Sequence, residues 1–190
     1  TGPLADSDWQ YRFIGKGSEG NDQAVTTKHE SYLVAPSVTW QPSDQTRLTL
    51  EALWQNQPSL TPSNPLPLAY LRSSNANSRA FGGDRWNGFK QREGMLGYTF
   101  EHQFDSGWGI VQKARYFSVT THQQSIYATG TGASNTQLSR FGYTTDEDLN
   151  SINIDNQVKK QLQLGDWQHN LLAGFDYQHL NSHMKYRYGT

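Results

Sequence analysis

The chain has 190 residues, a formal charge of −1 and no cysteine. That leaves room for one domain and removes disulfide frameworks, thiol catalysis and the basic footprint of a nucleic-acid partner. Its mean hydropathy of −0.79 looks too polar for a membrane protein, yet a barrel whose strands each wet one face has such an average.

No apolar run approaches the roughly 18 residues that a transmembrane helix needs. The N-terminus Thr1-Gly2-Pro3-Leu4 lacks the basic and apolar regions of a signal peptide. An exported barrel requires one, so the chain reads as processed or as a piece of something longer.

In chain order, seven stretches read as strands: Asp8–Gly15, His29–Gln41, Arg47–Gln55, Arg92–Phe104, Trp108–His122, Ser151–Leu164 and Gln168–His183. Each alternates apolar or aromatic residues with small or polar ones, the period of a strand with one dry face and one wet face. The dry faces run Trp9, Tyr11, Phe13; Tyr32, Val34, Val38, Trp40; Leu48, Leu50, Ala52, Trp54; Leu96, Tyr98, Phe100; Ile110, Ala114, Tyr116; Ile152, Ile154, Val158, Leu162; and Leu171, Ala173, Phe175, Tyr177. Opposite them lie Glu51, Glu93, Glu101, Lys113, Arg115, Asp155, Lys159 and Asp176, most of which are expected to form interior ion pairs. Gln112, Asn156 and Lys160 break the dry face, and Pro36 interrupts a ladder, where a bulge is expected.

The connections alternate in length. Pro42–Thr46, Asp105–Gly107 and Gly165–Trp167 have tight-turn chemistry. Lys16–Lys28, Asn56–Gln91 and Gln123–Asn150 are long, polar and without sustained periodicity, and read as loops gathered at one end of the sheet. Trp9, Trp40, Phe104, Trp108 and Trp167 cluster beside the short-turn end, as an interfacial aromatic girdle does. Ten residues at about 3.3 Å rise, tilted by about 45°, span roughly 23 Å, close to the apolar band of an outer-membrane barrel.

The fold class is therefore all-β: an antiparallel transmembrane β-barrel segment of about seven strands with long extracellular loops. The alternative is a soluble β-sandwich carbohydrate-binding module, in which the same alternation packs two sheets together. Seven strands do not close a large barrel, and an open edge in lipid costs several kcal/mol for each unpaired backbone group. The segment belongs to a wider wall.

Four runs carry a family resemblance: Tyr32 to Pro42, Gly97 to Phe104, Gln112 to Tyr116 and His169 to Tyr177. In order and spacing, over about Tyr32 to Tyr188, they resemble consecutive strands of TonB-dependent siderophore receptors of the ferrichrome and ferrioxamine branch. The resemblance implies a 22-stranded outer-membrane barrel of a Gram-negative bacterium with an N-terminal plug domain. It would import ferric hydroxamate siderophores by TonB-coupled active transport. Residues 1–190 would be part of the barrel, with the plug, the TonB contact and the remaining strands absent. Implied partners are the ferric siderophore, the TonB complex through the plug, and outer-membrane lipid and lipopolysaccharide.

Ligand groups must then come from the loops. A ferric hydroxamate is compact and near neutral, best held by aromatic walls with a few hydrogen-bond donors. Tyr127, Trp86, Tyr70, Phe89, Phe141 and Tyr143 are the candidates, with Arg72, Phe81, Arg85 and Arg140 nearby in sequence. Ferrichrome-type receptors carry Ser-hydrophobic-Tyr after the fifth strand of this arrangement, and Ser125-Ile126-Tyr127 matches it. Two positions depart: a second tyrosine is Thr129, and a Tyr-Gly-Trp before Leu66-Pro67 is Ser63-Asn64-Pro65. A bulkier or linear hydroxamate such as a ferrioxamine is thus as plausible as ferrichrome.

No cofactor or protein-bound metal is expected, because iron would arrive wrapped by its chelator. His179 and His183 share a face about 13 Å apart, too far for one ion. Asp146, Glu147 and Asp148 read as a solvated acidic loop that Arg140 could pair with, in preference to a calcium site. Ser118, His122 and Asp155 can be arranged as a triad on paper, but no nucleophile motif supports catalysis, and an enzyme is not expected.

Overall fold

The computed structural model describes residues 1–4, 7–21, 27–60, 64, 66–73 and 85–189. Its strands are β1 (Gly2–Pro3), β2 (Trp9–Asn21), β3 (Lys28–Ser43), β4 (Thr46–Leu60), β5 (Gly88–Gln103), β6 (Trp108–Thr131), β7 (Leu138–Leu164) and β8 (Trp167–Gly189). One short helix, α1 (Leu68–Ser73), lies between β4 and β5. The strands form one antiparallel meander in the order β1 to β8, so the short β1 makes the count eight where seven were expected.

This is a wall. Among the described residues the only buried apolar side chain is Val111, while large hydrophobics from Trp9 to Tyr177 stand exposed. A sandwich would bury those residues between two sheets; a lipid-facing wall leaves them outside.

The register confirms the traced faces, because residues opposite each other in an antiparallel ladder share a face. Tyr11 pairs with Val38, Val38 with Leu50, Leu50 with Tyr98, Tyr98 with Ala114, Ala114 with Ile154 and Ile154 with Tyr177. One apolar row thus crosses seven strands. At the short-turn end Trp9 and Trp40 lie 6.1 Å apart, and Lys160 sits 5.1 Å over Trp108. A second aromatic row, Tyr32, Trp54, Tyr116 and Tyr177, runs oblique to the rungs, meets the first at Tyr177 and marks the far limit of the apolar band. All four are exposed.

The polar exceptions on the outer face satisfy one another. Tyr98 Oη donates to Gln112 Oε1 at 2.8 Å, and Gln112 Nε2 donates to Asn156 Oδ1 at 2.7 Å. On the inner face Arg115 reaches Glu51 at 2.9 Å and Lys113 lies 3.8 Å from Asp155. Lys159, Glu101 and Asp176 join no ion pair among the described residues. The Arg115–Glu51 pair crosses β5 at Gly97, where an added Cβ would stand 2.9 Å from Arg115 Cγ. Glycine leaves the gap that the pair bridges.

Two expectations are corrected. The ladders hold the same register on either side of Pro36. The irregularities lie instead between Trp40 and Ser43 and between Glu30 and Tyr32, where the extra residue falls beside Pro42 on β3 and beside Pro58 on β4. A missing N–H is tolerated in a bulge. The stretch Gln123–Asn150 is also mostly strand: β6 runs on to Thr131 and β7 begins at Leu138. Likewise β2 runs on to Asn21. The tip of the β6–β7 hairpin is a short turn closed by Gly132 N–H to Gln137 O at 3.0 Å, with Asn135 at φ 55°.

Candidate functional site

Beyond the second aromatic row the two faces of the wall exchange character. On β8 the outer positions change from Leu171, Ala173, Phe175 and Tyr177 to His179, Asn181, His183, Lys185 and Arg187. The inner ones change from Asn170, Leu172, Gly174, Asp176 and Gln178 to Leu180, Ser182, Met184, Tyr186 and Tyr188. On β7, Ile154 and Ile152 give way outside to Asp148 and Asp146, while Asp155 and Asn153 give way inside to Tyr143 and Phe141. Above the membrane the outside is water, so charges move out and rings turn in.

The inner rings form one strip across β6, β7 and β8. Tyr127 faces Phe141 across the ladder, with ring centroids 5.6 Å apart, and lies 5.9 Å from Tyr143. Tyr143 stacks on Tyr186 at 5.6 Å and 14°, and Phe141 on Tyr188 at 5.9 Å and 27°. Tyr186 and Tyr188 close the group at 5.9 Å. Gln123 Nε2 donates to Tyr143 Oη at 2.8 Å, and Phe89 is the register partner of Gln123 on the same face. Desolvation first, then the phenols of Tyr127, Tyr143 and Tyr188, raise the Tyr186 pKa above its ordinary value.

Of the six candidates, Tyr127, Phe141 and Tyr143 therefore come together, and Phe89 shares their face. Trp86 approaches from the outer face by register: its ring would lie 3.8 Å from a Cβ at Gly142, and it shares a concavity of ≈ 740 Å³ with Phe141, Tyr143 and Tyr188 of the strip and with Ile126, Arg140 and Arg187. Tyr70 is half-buried on α1, off the strand strip. Arg72 is on α1 and Arg85 precedes β5; Phe81 lies outside the described residues.

The segment before β5 completes the β6 ladder. Asn64 Nδ2 donates to Ser125 Oγ and to Ile126 O, both at 2.8 Å, and Ile126 N–H donates to Asn87 Oδ1 at 2.6 Å. Beyond Gly88, where β5 offers no further backbone partner, two side-chain amides take its place. Ser125, 1% exposed, is the most deeply buried side chain of this region. Asn64 thus has a structural task at a position where the family pattern has an aromatic run. Thr129, at the position of the second expected tyrosine, is the extra residue of a β6 bulge.

Sequence reasoning missed Tyr186 and Tyr188. The alternation on β8 continues unbroken through them with its sign reversed, and that reversal is the signal that finds them. The acidic run is also on strand β7, on alternating faces, and Asp146 is held by His122 at 2.6 Å and Arg187 at 2.8 Å. Those bonds, His122 first, pull the Asp146 carboxyl below its ordinary value. The paper triad is not assembled: His122 bonds Asp146 on the outer face, while Asp155 is on the inner face beside Lys113.

Residues 9–190 match the family model described as TonB dependent receptor-like, beta-barrel. The chain is 34% identical over 196 residues to the ferrioxamine B receptor of Salmonella typhimurium strain SL1344, spanning 100% of this chain and 28% of that protein. It is 27% identical over 210 residues to the ferrichrome outer membrane transporter/phage receptor of Escherichia coli K12, spanning 97% of this chain and 28% of that protein. Among solved structures, the ferripyoverdine receptor of the outer membrane of Pseudomonas aeruginosa superposes with a TM-score of 0.83 at 18% identity, over 97% of this chain and 25% of that one. The chain spans little more than a quarter of these relatives' length. It belongs to the TonB-dependent receptor β-barrel family, of whose wall it forms an arc.

Proposed function

We propose that this arc is part of an outer-membrane receptor that imports ferric hydroxamate siderophores by TonB-coupled transport, with the inner aromatic strip contacting the siderophore. The plug domain, the remaining strands of a 22-stranded barrel and the TonB contact belong to the longer protein. The observation that carries the reading is the strip of five rings, Tyr127, Phe141, Tyr143, Tyr186 and Tyr188, facing the lumen above the membrane band.

Charge selects the ligand class. On the inner face of upper β5 to β8 the charged side chains among the described residues are Glu93 and Glu147, while Lys90, Arg92, Arg140, Lys185 and Arg187 fall on the outer face by register. Three hydroxamate monoanions cancel the ferric charge, whereas three catecholate dianions leave an anionic complex. An aromatic, weakly acidic wall accepts the first and repels the second. The two comparison receptors named for ferrioxamine B and ferrichrome support the same class.

The test is a titration of the purified full-length receptor with ferric trihydroxamates, ferric tricatecholates and ferric citrate. Hydroxamates should bind at least about a hundred-fold more tightly, equivalent to about 2.7 kcal/mol. Tighter binding of a tricatecholate would overturn the assignment.

A further inference from the structure

Just below the aromatic strip, the inner face carries an acid that nothing on the wall answers. Glu147 follows Phe141, Tyr143 and Thr145 on the inner side of β7 and is half-buried. Its neighbours across the ladders are Thr121 and Met184, neither of which has a positive charge to offer. Among the described residues Glu147 joins no hydrogen bond or ion pair. Glu93, the other acid on the upper inner face of β5 to β8, lies two strands away and accepts from Gln91 Nε2.

No cation stands near. On the inner face of β5 to β8 the first positive charge toward the short turns, among the described residues, is Arg115, which is bonded to Glu51. Arg115 shares a rung with Asn153, and from Asn153 to Glu147 is three inner steps, about 20 Å. Two features of the strip complete the picture. Tyr186 is the register partner of Thr145 and so stands one inner step from Glu147, about 6–7 Å along the strand; the faces of such rings attract cations. Thr145 Oγ1, between the strip and the acid, is buried without a hydrogen-bond partner among the described residues. Ring faces, an oxygen left unmet from within the wall and a lone carboxylate all favour a positive group.

We infer that Glu147 is a specificity-determining residue that selects ferric trihydroxamates bearing a protonated amine over uncharged ones. The inference rests on the hydroxamate reading above and names the member of that class the wall is built for. The ferric core is neutral and packs on the rings, while an amine on a short alkyl arm makes the complex singly positive and spans the step from the rings to Glu147. A hydrogen bond from an ammonium to a carboxylate is roughly twice as strong as one between neutral groups. An uncharged ligand covers the same carboxylate without pairing it, which costs affinity.

Titration of the purified full-length receptor with an amine-bearing ferric trihydroxamate, and with its N-acetylated, uncharged derivative, tests it. The wild type should bind the amine about ten-fold more tightly. Glu147→Gln keeps the shape of the side chain and removes its charge. It should weaken the amine-bearing ligand by about ten-fold and leave the acetylated one within about two-fold, so that the preference disappears. Glu93→Gln should keep the preference. Equal affinity of the two ligands for the wild type would overturn the role of Glu147 and leave the hydroxamate reading standing. So would a preference that survives Glu147→Gln, a loss shared equally by both ligands in that variant, or a preference abolished by Glu93→Gln. Failure of both trihydroxamates to bind would overturn the hydroxamate reading and this inference with it.

Discussion

Below the second aromatic row, rings and aliphatic side chains point outward and ion pairs point inward; above it, rings point inward and charges outward. The backbone is the same continuous ladder in both regions, as the unbroken register from Leu164–Trp167 to Gly142–Gly189 shows. The difference lies in the surrounding medium. Lipid outside the lower wall requires an apolar outer face, whereas water outside the upper wall frees the apolar residues to face inward. The reversal on β7 and β8 therefore marks the membrane limit and, under the proposed function, the side of the wall that meets the siderophore.

That contrast is broken most strongly by moving a charge across it. Val158→Lys, on the apolar outer face between Ile110 and Ala173, should destabilise the full-length barrel by about 2–4 kcal/mol. Asn150→Lys, four rungs higher on the same face, should cost within about 0.5 kcal/mol. Denaturant unfolding in lipid vesicles reads both, and equal costs would remove the proposed membrane limit.

On the ligand side, Tyr127→Ala in the full-length receptor should weaken ferric hydroxamate binding by about 1–3 kcal/mol, as loss of an aromatic anchor does. Unchanged affinity for every hydroxamate tried would remove Tyr127 from the site. Within the lower wall, Gly97→Ala should cost about 1–3 kcal/mol through the clash with Arg115, read by the same unfolding measurement. A wild-type midpoint would show that the Arg115–Glu51 bridge shifts aside freely.

The smallest effect concerns pH. The Asp146 carboxyl is held below its ordinary 3.8 by His122 and then Arg187. Its contribution is present above the ordinary value and is lost as pH falls through the lower folded one. Amide protection at the top of β7 and β8 should therefore drop on acidification below about pH 4, and Asp146→Asn should flatten that dependence. An identical acid profile in the variant would show that Asp146 does not hold these strands.

The lower wall was legible in the sequence because lipid enforces contrast: every outward residue from Trp9 to Tyr177 in the traced rows stands on the face that alternation assigned. The upper wall was less so. Between Gln123 and Asn150 both faces carry Ser, Thr, Gln and Asn, so the period of two fades although the ladder persists, and strand was read as loop. Proline misled in a different way. Pro36 sits where its missing N–H does not shift the register, while Pro42 and Pro58 stand beside the bulges. Trp86 precedes β5 in a stretch without alternation, so its approach to Gly142 was not legible in the sequence.

The central claim is that ligand contact lies on the inner upper wall and not on the equally aromatic outer band. Titration of a ferric trihydroxamate against the full-length receptor carrying Tyr143→Ala with Tyr188→Ala, beside one carrying Tyr116→Ala with Tyr177→Ala, tests it most directly. The account predicts at least about a ten-fold loss of affinity, or about 1.4 kcal/mol, for the inner pair and wild-type affinity for the outer pair. Equal affinity in the two doubles, or loss confined to the outer pair, would contradict it.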